Sequence, residues 1–270
     1  MNNKKNASTS VYVLGVRNNF RGEHLVNALN SFGIKSNIIW GPSVDSDFSN
    51  ISSFVNQDFC RFTIRRQIKL TEVACTLGHL RMYQEFQSSQ DEWGFFLEDD
   101  AILVKDISKI LESLQYCSYP VQIFVHDGPG TDLRVSDFRN KKFAVTNDLV
   151  RYLDPNYGAY GYILNRKAVN RILDGRTKDL INTPDWPYMW PTDIRYYKTH
   201  DVYVSHPLDE TFSIIGERIN SRNSFWYQIP NPVRLLQGIH LGLPIKHLIH
   251  KEIFLKFHRV ILQIKKRILK

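Results

Sequence analysis

Short apolar runs alternate with amphipathic segments along the first part of the chain. Val11–Val16 (VYVLGV) predicts a buried strand, Phe20–Phe32 predicts a helix that stops at Gly33, and Lys35–Trp40 (KSNIIW) predicts a second strand. Strand, helix and strand within about thirty residues form a βαβ unit, so the two strands are expected to be parallel. The polar, serine-rich stretch Asp45–Asn56 that follows predicts a loop with room for one short turn.

The same alternation of helix and strand continues along the chain. Thr71–Phe86 predicts a helix with Thr71 as its N-cap. His79 lies in this helix, where a histidine beside an apolar face is more often a hydrogen-bonded structural residue than a ligand. Further strands are predicted at Trp93–Leu97, Val121–Val125, Leu149–Leu153, Tyr157–Leu164 and Val202–Val204, and further helices near Ile107–Leu114 and at Arg166–Leu173. This order of elements indicates an α/β fold.

The apolar run Trp93–Leu97 ends in three consecutive carboxylates, Glu98, Asp99 and Asp100. Adjacent acids repel one another and cannot all be buried in ionised form without a compensating cation. At the carboxyl end of a strand, where α/β sheets bind ligands, that cation is expected to be a divalent metal. Oxygen ligands favour Mg²⁺ or Mn²⁺ over zinc or copper. A solvated acidic turn is the alternative interpretation.

Two loops carry further polar chemistry. The strand Val121–Val125 is followed by His126–Gly130 (HDGPG), and Asp127 would face the same crevice as the acids if the two strands were parallel and adjacent. Asn182–Asp193 (NTPDWPYMWPTD) combines aromatic side chains, which stack on sugar rings or nucleobases, with acids that bind hydroxyl groups. An ordinary Asp-Gly turn and a proline-rich loop with packed tryptophans are the respective alternatives.

Charge divides the 270-residue chain into two parts. The formal net charge is +8, and Val233–Lys270 contains nine Lys and Arg against one acid, Glu252, so this tail holds the whole excess. The remaining 232 residues contain 26 basic and 26 acidic side chains and are neutral. We therefore expect a domain at residues 1–232 and a separate tail at 233–270. A neutral body argues against a nucleic-acid-binding module.

Apolar residues recur in the tail at helical spacing, with Lys and His between them. They are Ile245, Ile249, Ile253, Phe257, Ile261, Ile264 and Ile268. The pattern predicts a basic helix that either lies on an anionic membrane surface or packs on the domain.

Cysteine usage and apolar run length predict the compartment. The three cysteines, Cys60, Cys75 and Cys117, form no C-x-x-C pair, which is typical of free thiols in a reducing environment. The polar N-terminus lacks the apolar region of a signal peptide, and no apolar run approaches the ~18 residues that span a bilayer. A cytoplasmic protein is expected, peripheral on the inner face of the plasma membrane if the tail docks there.

Four segments together resemble the signature of glycosyltransferase family 25, the bacterial lipooligosaccharide galactosyltransferases and their relatives. Residues 72–79 (EVACTLGH) are similar to the family's E-x-A-C-x-x-S-H, and residues 95–103 (FFLEDDAIL) to its apolar strand ending in E-D-D. Residues 160–168 (YGYILNRKA) look like A-Y-x-I-x-R-x-A, and residues 191–193 (PTD) like P-x-D. The resemblance covers about residues 11–210.

Two positions depart from the family pattern. Gly78 stands where the family usually has Ser, and residues 17–21 (RNNFR) replace an Arg-Arg pair after the first strand. Arg17 is the candidate for a donor contact in this segment.

The resemblance implies a GT-A-like, Rossmann-type mixed sheet flanked by helices. It also implies a nucleotide-sugar donor, typically UDP-galactose, and inversion at the anomeric carbon. The acceptor would be a lipooligosaccharide or another surface glycan. Inversion needs one base that takes the proton of the acceptor hydroxyl, and the family's aspartate matches Asp193, with Asp127 and Asp185 in reserve.

The residues themselves and the resemblance together suggest the remaining roles. The expected donor contacts are Glu98, Asp99, His79 and Arg17. The expected acceptor contacts are Tyr160, Asp185 and Trp186. The expected ligands of Mn²⁺ or Mg²⁺ are Asp100, Glu98 and His206.

One further enzyme class remains open at this point. A glycoside hydrolase that uses a metal or a pair of carboxylates could employ the same acids. It would release free sugar without an acceptor, so a product assay separates it from a transferase.

Overall fold

A computed structural model of the chain describes residues 7–17, 20–43, 51–55, 67–126, 149–151, 159–174 and 194–207. The strands are β1 (Thr9–Gly15), β2 (Asn37–Trp40), β3 (Trp93–Glu98), β4 (Ile102–Leu103), β5 (Val121–Phe124), β6 (Leu149–Arg151), β7 (Gly161–Asn165), β8 (Arg195–Thr199) and β9 (Val204–Ser205). The helices are α1 (Arg21–Ser31), α2 (Leu70–Ser88), α3 (Ser108–Ser113) and α4 (Arg166–Asp174). The predicted tail and the loop at residues 182–193 lie outside the described residues.

A seven-stranded mixed sheet forms the centre of the fold, in the order β2-β1-β3-β7-β5-β8-β6. β1 is parallel to β2 and β3, and β5 is parallel to β8, whereas β7 runs antiparallel between β3 and β5. The edge strand β6 is antiparallel to β8, and β4 pairs with β9 in a small separate sheet. A mixed sheet flanked by helices is thereby confirmed, and a GT-A Rossmann-type fold fits it.

The order of the strands corrects two expectations. β3 and β5 are parallel but not adjacent, because β7 lies between them. β8 was not predicted from the sequence, because its residues, RYYKT, place two tyrosines between charged side chains and contain no apolar run. Tyr196 and Tyr197 are nonetheless buried in the sheet.

Side-chain alternation gives the sheet two separate apolar cores. Val11 and Val13 of β1 belong to a core shared with α1 and α3, while Tyr12 and Leu14 belong to a core shared with α2 and α4. β3 divides in the same way, since Phe95 faces the first core and Phe96 the second. Successive residues at the end of β3 are therefore directed to opposite faces of the sheet.

Helix α2 begins one residue before the predicted N-cap. Lys69, not Thr71, is the N-cap, and the Glu72 carboxylate accepts a hydrogen bond of 2.9 Å from the Lys69 backbone N–H. That bond satisfies one of the N–H groups left unpaired at a helix start. In the described residues, no helix combines the length and the apolar character needed to cross a membrane.

The segment that resembles A-Y-x-I-x-R-x-A connects several elements of this fold through hydrogen bonds. The Arg166 guanidinium donates to the backbone carbonyls of Gln87 and Ser89 at the end of α2 and to that of Asp91. The Asn165 side-chain oxygen accepts hydrogen bonds from the backbone N–H groups of Val121 and Ala168. These contacts tie α2, β5 and the start of α4 together.

Candidate active site

The acidic cluster lies where the central strand β3 ends, on the side of the sheet formed by the carboxyl ends of β3 and β5. β3 and β5 end at this edge because they are parallel, and the antiparallel β7 begins there. Asp99 and Asp100 follow β3, His126 follows β5, and Tyr160 precedes β7. The Glu98 backbone N–H donates to the Tyr160 carbonyl at 3.3 Å, which fixes the two strand ends against each other.

Glu98 faces helix α2. Its Oε1 lies 3.1 Å from His79 Nε2 and 3.5 Å from Cys75 Sγ, and its side chain is 20% exposed. His79 is 1% exposed, and its Nδ1 lies 2.5 Å from the Tyr162 hydroxyl. Tyr162 in turn lies 2.5 Å from the Tyr83 hydroxyl.

Hydrogen bonds within this buried network fix the orientation of the His79 ring. Both ring nitrogens of His79 are engaged, one by Glu98 and one by Tyr162. Burial raises the pKa of Tyr83 and of Tyr162 above that of an exposed tyrosine, so both hydroxyls stay protonated and available for hydrogen bonding. A direct contact between His79 and the donor stays a prediction.

Asp99 faces the opposite side of the sheet, toward helix α1. Its Oδ1 accepts a hydrogen bond of 2.8 Å from Arg21 Nη2. Burial raises the pKa of Asp99 to about 6, and it outweighs the nearby Arg21 charge, which acts in the opposite direction. The negative charges of Asp100 and Glu98 add to the rise.

Asp100 faces the segment after β9. Its Oδ2 lies 3.3 Å from His206 Nε2, while His206 Nδ1 lies 2.8 Å from the Pro207 carbonyl and donates its proton to it. The hydrogen bond with Asp100 raises the pKa of His206. When the ring is neutral, its Nε2 lone pair is directed at a carboxylate, an arrangement that a shared cation would stabilise.

The donor atoms at this edge fit a hard divalent cation. Asp99 Oδ2 and Asp100 Oδ1 are buried and have no hydrogen-bond partner within the described part of the chain. A buried carboxylate oxygen without a partner costs on the order of 1–3 kcal/mol or more. Carboxylate oxygens with one imidazole nitrogen are a suitable ligand set for Mn²⁺, and the oxygens suit Mg²⁺.

Aromatic rings lie beside the pair formed by Asp100 and His206. The Tyr160 ring packs between His126, at 4.5 Å between centroids, and His206, at 5.2 Å. The structure thus places Tyr160 at the candidate site, next to His206. His126 was not among the predicted site residues, although its position directly after β5 is a signal for it.

The remaining predicted residues divide into two groups. Arg17 is exposed just beyond the end of β1, and a donor contact there stays a prediction. Asp127, Asp185, Trp186 and Asp193 lie outside the described residues. Two further residues at the site were not among the predicted ones: Arg21, which pairs with Asp99, and Cys75, which lies one helical turn before His79.

Comparison with known proteins identifies the family. Residues 9–185, well over half of the chain, match the model of glycosyltransferase family 25, described as an LPS biosynthesis protein. The chain belongs to glycosyltransferase family 25. No curated protein matches it.

Family membership decides between the two enzyme classes left open above. This family 25 glycosyltransferase acts on a sugar donor and a glycan acceptor in LPS biosynthesis, rather than as a glycoside hydrolase. The matched residues include the helix α2 motif, the acidic cluster and the segment at 160–168. Asp193 lies beyond them.

Proposed function

We propose that this family 25 glycosyltransferase is a metal-dependent, inverting β-galactosyltransferase. It would transfer galactose from UDP-galactose to a lipooligosaccharide or another surface-glycan acceptor. The donor sugar and the stereochemistry rest on the family resemblance. The metal requirement rests on one observation, the juxtaposition of Asp100 and His206 beside buried carboxylate oxygens without hydrogen-bond partners in the described residues.

In this proposal Asp100 and His206 would hold Mn²⁺ or Mg²⁺, with Glu98 in support. A bound cation supplies neutralisation of the charge that develops on the UDP diphosphate as it leaves. Pro207 orients His206 through its carbonyl, and this directs the Nε2 atom toward Asp100. The pair is therefore positioned before any ligand arrives.

Asp99 has a different part in the proposal. Its carboxylate holds the Arg21 guanidinium at the edge of the sheet, so a cation remains close to the expected position of the diphosphate. With its own charge compensated by Arg21, Asp99 supports the donor site through this contact.

The acceptor side is proposed on chemical grounds. The Tyr160 ring offers a flat surface on which a sugar can stack, together with Trp186, and Asp185 would bind acceptor hydroxyls. Asp193 would remove the proton of the attacking hydroxyl on the face of galactose opposite to UDP.

A nucleotide-sugar screen tests the donor and the metal together. We expect UDP release and transfer from UDP-galactose with Mn²⁺ or Mg²⁺, and neither in excess chelator. Asp100→Ala should abolish transfer and leave the fold intact, because it removes one of three adjacent negative charges. Asp106→Asn is the matched control, since Asp106 is an exposed acid whose substitution keeps the oxygen that Ser108 N–H contacts.

Two outcomes would contradict the proposal. Full activity of Asp100→Ala, or full activity in excess chelator, would remove the metal requirement. Transfer from another nucleotide sugar in preference to UDP-galactose would replace the donor and leave the metal site standing.

A further inference from the structure

A cysteine, a histidine and a glutamate meet on the α2 side of the acidic cluster. Cys75 and His79 lie one turn apart on the same face of α2, and Glu98 at the end of β3 faces them. The three possible ligand atoms, Cys75 Sγ, His79 Nε2 and Glu98 Oε1, all lie within 4.8 Å of one another. Their separations from Glu98 Oε1 are 3.5 Å for the sulfur and 3.1 Å for the nitrogen.

We propose that Cys75, His79 and Glu98 form a binding site for a thiophilic divalent cation of the Zn²⁺ class. This site shares Glu98 with the donor site proposed above, but it does not include Asp100 or His206. Thiolate and imidazole ligands select Zn²⁺, whereas carboxylate oxygens favour Mg²⁺ and Mn²⁺. Three protein ligands with one open position is a common arrangement around zinc.

The second nitrogen of His79 is already held in the manner of a metal-binding histidine. Zinc-binding histidines donate their other ring N–H to an acceptor that fixes the orientation of the ring. Tyr162 supplies that acceptor at 2.5 Å from Nδ1. Because a hydroxyl can donate or accept, Tyr162 can serve either tautomer of His79.

Burial and charge also suit a bound cation. His79 is 1% exposed, which keeps its nitrogen dry, while the Glu98 side chain is 20% exposed and leaves a route from solvent. A thiolate, a carboxylate and a divalent cation sum to zero charge. This balance removes the penalty for enclosing a net charge in a half-buried site.

Occupation of this site would affect transfer, a consequence that rests on the proposed function. Glu98 is shared, since it also supports the donor site of the proposed reaction. A cation held by Cys75 and His79 fixes Glu98 on the α2 side. Zn²⁺ should therefore inhibit transfer that is supported by Mn²⁺.

Cobalt is the probe for the test, since Co²⁺ occupies zinc sites and reports its ligands optically. Co²⁺ is titrated into the full-length, metal-stripped protein. We expect a sulfur-to-cobalt charge-transfer band that saturates at one equivalent and disappears when Zn²⁺ is added. The titration uses neither nucleotide sugar nor acceptor, so its result is independent of the proposed transfer reaction.

Variants assign the ligands. Cys75→Ser should lose the band, whereas Cys117→Ser, whose cysteine is buried in the opposite core, should keep it. Tyr162→Phe should keep the band and weaken binding by about 10-fold or more, because only the partner of the ligand is lost. Thermal unfolding of each apoprotein verifies that it is folded.

Other results would overturn the assignment. The proposal fails if no charge-transfer band appears, if the band survives in Cys75→Ser, or if it disappears in Cys60→Ser instead. Should Cys75→Ser not fold, Glu98→Gln replaces it. Unchanged Co²⁺ affinity in Glu98→Gln would then exclude the site.

Discussion

Three adjacent carboxylates repel one another, and in this protein each is turned toward a different partner. Glu98 contacts His79 of α2, Asp99 pairs with Arg21 of α1, and Asp100 faces His206. Glu98 is the last residue of β3 and Asp99 follows it directly, so the two side chains continue the alternation of the strand and point to opposite faces of the sheet. The two cation sites proposed above rest on this divergence of the three side chains.

Asp193 is predicted to act as the general base of the transfer reaction. Asp193→Asn keeps the shape of the side chain but loses its basicity, so turnover should fall by at least ~10²-fold while donor affinity changes little. Steady-state kinetics with UDP-galactose and a soluble acceptor measure the effect. Asp201→Asn is the control, because Asp201 is an exposed acid that pairs with Lys105.

Retention of most of the turnover in Asp193→Asn would pass the role of base to Asp127 or Asp185. The same assay applied to the corresponding asparagine variants would then distinguish these two.

Helix α2 is the element on which the site depends most. It carries Cys75 and His79, and its last turn is capped by the Arg166 guanidinium. Its middle approaches β1 closely, because a Cβ built at Gly78 would lie 2.5 Å from Leu14 Cδ1. Glycine at the position where the family usually has Ser thus permits close packing of α2 on the sheet.

This contact gives a prediction for α2. Gly78→Ser should destabilise the protein by about 1–3 kcal/mol, because the added atoms overlap with Leu14 in a packed core. In a Leu14→Ala background the added cost of Gly78→Ser should be smaller, because the overlapping atoms are gone. Urea unfolding of the four proteins of this cycle gives both values.

Two results would show that close packing does not explain the glycine. One is a Gly78→Ser variant as stable as the parent protein. The other is the same cost for the serine in both backgrounds.

Charge is segregated at the scale of the whole molecule. Residues 233–270 contain the entire formal excess of +8, and the other 232 residues are neutral. We propose that the tail docks the enzyme on an anionic membrane surface, where each basic residue contributes on the order of 1 kcal/mol. Docking would bring the active site to a lipid-linked acceptor.

Truncation after Pro232 tests this role of the tail. We expect lower activity on a membrane-held acceptor and unchanged activity on a soluble analogue. Co-sedimentation with anionic vesicles should be lost on truncation and should weaken with salt in the full chain, because salt screens surface charge.

A tail that packs on the domain predicts a different pattern. Truncation would then destabilise the protein and lower both activities. Equal binding of the full chain to neutral and anionic vesicles, or binding to neither, would exclude electrostatic docking.

Local patterns in the sequence were sufficient for several elements of the fold. β1, α1, β2, β3, α2 and α4 lie close to their predicted positions, because each is specified by its own apolar periodicity and by local stop signals such as Gly33. The acidic cluster was also recognisable, since three adjacent acids after an apolar strand are visible without a structure. The order of this cluster and the other three motifs along the chain indicated the family that the comparison confirmed.

Contacts between distant residues were decided only by the tertiary structure. Insertion of β7 between β3 and β5, and recruitment of β8 into the sheet, depend on pairings across the chain that local periodicity does not encode. The contact of Asp100 with His206 joins residues far apart in sequence, and that of Cys75 with Glu98 joins a helix to a strand. The sequence by itself determined which chemical groups are available, whereas the packing of strands and helices decided which of them meet, because side-chain proximity is set by the whole sheet.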